Sequence, residues 1–149
     1  MDTFFTIYFI VVGGLLILNV IYKLIIFLKG DVDDWQRELS NDVLDWCLQL
    51  YPIRKQKPLI TLVETNSKFK GEYCFDTNTI IIYRSNNVLP LDVVRTFIHE
   101  YFHFHQITSN AKNNLYQKQL NHYGYEDHPQ EILCNAMAET LTKVYLKNN

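Results

Sequence analysis

The chain has 149 residues, with 14 Lys and Arg against 16 Asp and Glu and a formal net charge of −2. That balance excludes the basic surplus with which proteins grip phosphate backbones, so no nucleic-acid partner is expected. It is long enough for one modest domain, and its 48% hydrophobic content supplies a core. The cysteines Cys47, Cys74 and Cys134 are odd in number, scattered and free of any C-x-x-C pair. They argue against a disulfide framework and for a reducing compartment.

The N-terminal stretch "FFTIYFIVVGGLLILNVIY", Phe4 to Tyr22, carries no charge from end to end. As a helix it would reach about 28 Å, close to the thickness of a bilayer's hydrocarbon core. The apolar run resumes after Lys23 and stops at Lys29-Gly30. A cleaved signal peptide is the competing reading, but the start carries Asp2 and no Lys or Arg, and the first alanine is Ala111. The expectation is a retained anchor over residues 1–30, in contact with lipid through residues 4–28, and a folded domain over 31–149. Lys23, Lys29 and Arg37 all follow the span. The positive-inside rule then makes this a single-pass membrane protein with a cytoplasmic domain.

From Asp31 the pattern becomes that of a soluble α+β domain. Trp35, Leu39, Val43, Cys47 and Leu50 share one face of a predicted helix that Pro52 ends. "PLITLVET", "KGEYCFD" and "TIIIYRS" read as three short strands, the last two joined as a hairpin through "DTN". A helix starts near Pro90 with Asp92 in its first turn. The polar segment Thr108 to Asp127 reads as loop or irregular helix, and a last helix runs from Pro129 to about Leu146.

The helix after Pro90 contains a contradiction. Leu91, Val93, Val94, Phe97, Ile98, Tyr101, Phe102 and Phe104 leave it almost no polar side, so it should be buried. Yet it holds His99, Glu100 and His103, whose burial without partners is expensive. A metal cation would compensate all three. His99 and His103 stand at i and i+4, so both rings leave one helical face and can reach one ion. Glu100 is rotated about 100° from His99 and is placed to take a proton from water rather than to join the coordination sphere. "HEYFH" is the H-E-x-x-H pattern of zinc metalloproteases, with Glu100 as general base.

A third ligand is expected downstream, where "HPQEILCNAMAET" puts Glu131 in the first turn of the last helix. An acidic residue in that turn also complements the helix dipole, but the ligand reading of Glu131 is preferred; His128 is a rival ligand or substrate contact. Ala136 and Ala138 would let this helix approach the HEYFH helix closely. "HEYFHFHQ" followed downstream by "HPQEILCNAMAE" resembles the small gluzincin-type metallopeptidases and most closely the ImmA/IrrE-like group. The second motif of that group has the form E-x-E-A-x-x-F-A. The resemblance runs from about Gly71 to Leu146. It implies a zincin-like fold of helix, three-stranded sheet, HExxH helix and glutamate helix, with His99, His103 and Glu131 as zinc ligands. Leu133 and Cys134 depart from the second motif, while Glu131, Asn135, Ala136 and Ala138 stay in register.

The function expected on these grounds is a membrane-anchored zinc metallopeptidase acting on a peptide or protein substrate. Tyr123 and Tyr125 are candidates to donate to the oxyanion, and "TIIIYRS" to hold the peptide by edge pairing. The alternative is a membrane-bound zinc-binding regulatory module without turnover.

Overall fold

The chain divides into two compact units, Met1–Trp35 and Gln36–Asn149. The computed structural model describes residues 35–64 and 68–148, and the architecture below is that of the second unit. Its described residues form four α-helices and a three-stranded sheet, an α+β arrangement.

Within this unit helix α1 covers residues 36–50. Val43 and Cys47 of the expected apolar stripe are fully buried, but Leu50 is exposed and Leu44 enters the core instead. The buried face also takes in Gln36 and Ser40, which no apolar spacing reveals. Their donors are bonded: Gln36 Nε2 donates to the Asn87 carbonyl at 2.8 Å, and Ser40 Oγ to the Gln36 carbonyl at 2.7 Å, while Gln36 Oε1 is buried without a partner among the described residues.

Strands β1 (Leu59–Val63), β2 (Gly71–Cys74) and β3 (Thr79–Tyr83) pair in the order β1-β3-β2. The β2–β3 hairpin is antiparallel as expected, and β1 runs parallel to β3. Asn78 closes the hairpin with φ 50°, a left-handed conformation that a short polar side chain tolerates. The topology corrects one expectation. "TIIIYRS" is the central strand, bonded on both edges, so it has no edge to offer a peptide; β1 and β2 are the edge strands.

Helix α2 (Pro90–Gln106) is the axis of the domain. From Val93 to Phe104 all of its residues but Arg95 are buried. One side packs on β3 through Ile80 and Ile82, and the other meets α1 and α4 in a shared cluster with Val43, Cys47, Cys134, Ala138, Leu141 and Tyr145. Each large apolar side chain buried this way contributes about 1.5–3 kcal/mol. Tyr101 enters with its hydroxyl donating to the Tyr51 carbonyl at 2.6 Å. At the far end Lys55 donates to the Phe104 and Ile107 carbonyls, a positive charge where the helix dipole favours one.

The segment read as loop or irregular helix is a regular helix, α3 (Asn110–Tyr123). It buries no residue, so apolar periodicity could not announce it; its ends define it. Ser109 Oγ accepts from the Lys112 amide at 3.3 Å, and Gly124 stops the helix at φ 75°, where glycine is favoured. Helix α4 (Pro129–Asn148) follows. Its buried face carries Glu131, Cys134, Ala138, Leu141, Thr142 and Tyr145, while Ala136 is exposed and takes no part in the close approach expected of it.

The membrane assignment is corrected. No helix among the described residues is long and apolar enough to cross a membrane. α4, at 20 residues the longest described from end to end, carries Glu131, Glu139, Lys143 and Lys147. The stretch that suggested an anchor, residues 4–28, lies outside the described residues, and no described helix supports the single-pass placement.

One buried side chain ties these elements together. Asn87 is fully buried; its Nδ2 donates to the Lys70 and Tyr83 carbonyls at 2.6 and 2.7 Å, and its Oδ1 accepts from Thr96 Oγ1 at 2.8 Å. Asn87→Ala removes its bonds to the Lys70 and Tyr83 carbonyls and leaves the buried Thr96 hydroxyl without its acceptor. Urea unfolding should show a loss of about 2–4 kcal/mol with an unchanged m-value.

Candidate metal centre

His99 and His103 lie one turn apart on the buried stretch of α2, and their rings face the first turn of α4. His99 Nε2 is 3.2 Å from Glu131 Oε2, His103 Nε2 is 3.1 Å from Glu131 Oε1, and the two Nε2 atoms are 3.0 Å apart. All three residues are buried, and their donor atoms fall within 4.8 Å of one another, so this group could hold a metal ion. Three donors about 2.0–2.1 Å from one tetrahedral centre would sit about 3.3 Å apart. The pair of Nε2 atoms comes within a few tenths of an ångström of that spacing, and each ring has its own Glu131 oxygen at a similar distance, Oε2 for His99 and Oε1 for His103. Two imidazoles and a carboxylate are also a donor set that divalent zinc accepts.

The α4 face that brings Glu131 also steadies both rings. Cys134 Sγ lies 3.6 Å from His103 Nδ1, and Asn135 hydrogen-bonds the His99 ring. Together with Ala138 these residues repeat at the three- and four-residue spacing of one helical face. Partners of this kind fix which ring nitrogen points at an ion.

The charges are set by opposing effects. Burial would raise the Glu131 carboxyl, but hydrogen bonds with His103, His99 and Tyr116 outweigh it and hold Glu131 well below the usual carboxylate range. Burial would lower His99, but its bond to Glu131 and the nearby Glu100 and Glu131 charges raise it. Glu100 stands outside the three-residue group. Burial pushes its carboxyl up to about 6, against the pull of His99 and His103.

Glu100, His103 and Glu131 line one cavity of about 370 Å³. Edge strand β2 contributes Gly71, Glu72 and Tyr73 to its wall, and α3 contributes Asn113, Tyr116, Gln117 and Leu120. The α3 residues stand at i, i+3, i+4 and i+7, a helical stripe that was visible in the sequence but reads as polar. Tyr116 is the residue sequence reasoning missed: its hydroxyl donates to Glu131 Oε1 at 2.5 Å.

His128, the rival ligand, is engaged elsewhere. Its Nδ1 accepts from the Gln130 amide at 3.1 Å, which caps α4, so its Nε2 carries the proton and donates to the Tyr116 carbonyl at 3.1 Å. Its ring also lies 4.4 Å from that of Tyr116, so it positions Tyr116. Tyr125 lines the cavity and hydrogen-bonds Glu131, and its hydroxyl is raised above the ordinary tyrosine range by burial and the Glu131 charge. Tyr123 is exposed, packs on His122, and does not line the cavity.

No protein-family model matches the chain, and no curated protein or solved structure matches it significantly.

Two outcomes test the centre. One equivalent of a divalent ion should raise the melting temperature and a chelator reverse it, with stabilisation of about 2.7 kcal/mol at a hundredfold excess of free ion over Kd. Gly71 is the second probe. A Cβ there would lie 2.7 Å from Thr96 Cγ2, 2.9 Å from the Ile81 carbonyl and 3.2 Å from Glu100 Cγ. Gly71→Ala should cost about 1–3 kcal/mol in urea unfolding.

Proposed function

We propose that this protein is a zinc-dependent peptidase of the gluzincin type, similar to the ImmA/IrrE-like group. The observation that carries the reading is the convergence of His99 and His103 from α2 with Glu131 from α4, and of Glu100 on the wall of the same cavity.

His99, His103 and Glu131 are the residues that hold the ion. A zinc ion bound there supplies Lewis acidity, which acidifies water and polarises a peptide carbonyl. Glu100 does the proton work. It takes a proton from water as the water attacks the carbonyl, then delivers it to the amine that leaves. Tyr125, at the cavity wall, is assigned to the oxygen of the carbonyl under attack. Tyr116 and His128 keep Glu131 oriented.

Substrate binding falls to β2. Among the described residues its second edge is unpaired, and its residues line the cavity. An extended peptide laid along it would gain backbone hydrogen bonds while its scissile bond passes Glu100.

Metal analysis and peptide digestion separate the roles. Glu131→Gln and His103→Ala should lose the zinc, and His128→Ala should retain it. Glu100→Gln should keep one zinc per chain and lose about 10²- to 10⁴-fold in cleavage rate. Zinc bound in full with no Glu100-dependent cleavage of any peptide pool would replace the peptidase with a zinc-binding module that has no turnover.

A further inference from the structure

The catalytic cavity ends at an aromatic pair, Phe69 and Tyr125, whose ring centroids are 5.8 Å apart. Both rings also line a second cavity of about 400 Å³. The two cavities reach different members of the metal group: His103 and Glu131 line the first, His99 the second.

Their charges differ in sign. The first is lined by Glu72 and Asp76 besides Glu100 and Glu131, and by no Lys or Arg. The second is lined by Lys68, Lys70 and Arg95 against a single carboxylate, Asp92. Asp92 is matched by Lys70 at 2.6 Å, so the surplus belongs to Lys68 and Arg95. Neither makes an ion pair among the described residues. Lys68 Nζ rests 5.1 Å over the Phe69 ring. Arg95 is the one exposed residue between Val93 and Phe104, and it stands at i−4 from His99. It therefore shares the helical face of that ring, one turn away. A planar, forked donor on a rigid helix beside a metal ligand is suited to a carboxylate.

We propose that the second cavity is a carboxylate subsite, in which Arg95 and Lys68 bind an anionic group of the peptide on the His99 flank of the metal centre. The substrate class that follows is a peptide with a carboxylate on that flank and neutral or basic residues on the Glu72 and Asp76 flank. The assignment rests on the peptidase reading for its substrate, but the subsite itself is a binding property. The carboxylate can come from an acidic side chain or from a free C-terminus.

The test uses full-length Glu100→Gln protein, with and without zinc, so that peptides are bound and not consumed. A single Glu is walked through an otherwise neutral, C-terminally amidated, fluorescently labelled octapeptide, with Gln at the remaining test positions. A second arm carries no Glu but a free C-terminus. Fluorescence anisotropy should show about tenfold tighter binding in one of these arms at low salt, fading as salt rises. A gain confined to Glu positions assigns the side chain, and a gain confined to the second arm assigns the terminus. Adding Lys68→Gln and Arg95→Gln should abolish the gain, and Lys68→Glu with Arg95→Glu should turn it into a preference for Lys. Equal binding of Glu, Gln and free-terminus peptides, or a gain that survives the double glutamine variant, overturns the subsite. The two readings fail separately. Carboxylate-selective binding by a chain whose wild type cleaves nothing removes the peptidase and keeps the subsite; cleavage without carboxylate-selective binding does the reverse.

Discussion

The structure is organised around ionisable groups that an apolar helix has to bury. Helix α2 is wrapped in core on nearly every side, yet it carries His99 at 8% exposure and Glu100 and His103 at 6% each. Unpartnered, such groups would cost several kcal/mol. Their environment is therefore not free to vary. Both imidazoles turn toward one carboxylate, Glu131, which is fully buried and takes a further bond from Tyr116. The arrangement of α3 and α4 follows from delivering that carboxylate and filling its remaining bonds.

The delivery is mechanical. Pro129 and the His128 ring fix where α4 begins, because Pro129 has no amide hydrogen to satisfy and the ring accepts the Gln130 amide. Starting there puts Glu131 in the first turn, pointed at the two rings, with Cys134 and Asn135 one turn further along the same face. His128 also reaches back to the Tyr116 carbonyl, so the residue that starts α4 also holds the tyrosine that bonds Glu131. A polar helix that buries nothing, α3, is thereby locked to the site at one point rather than by an apolar stripe.

This explains which parts were legible in the sequence. The three strands, the α2 helix and the pairing of His99 with His103 follow from local periodicity, and the structure places them close to where that periodicity does. The first turn of α4 was legible from Pro129. What was not legible depends on contacts remote in sequence. The central place of β3 comes from its parallel pairing with β1, across the whole of the intervening β2, and no local pattern encodes that. Helix α3 was missed because caps and one hydroxyl hold it, and Tyr116 was missed with it. Gln36, Ser40 and Asn87 are core residues by hydrogen bonding, which hydropathy does not see. The membrane anchor was argued from the apolar run and flanking charges of residues 1–30, which lie outside the described residues, and no described helix provides one.

The two smallest contacts on α2 show how the site and the fold share their constraints. On the sheet side, Gly71 brings β2 so close that an added methyl group would press on both Thr96 and Glu100. On the other side, Ala138 is buried where α4 crosses near His99. Bulk at either place would have to be relieved by moving α2 away from the sheet or from α4. Movement from α4 would separate Glu131 from the imidazoles; movement from the sheet would shift Glu100 relative to the edge strand. The same absence of side chain that lets the layers pack therefore sets the distance between the Glu100 carboxylate and strand β2. Packing density and site geometry at these positions are one variable, so neither can be relaxed without the other.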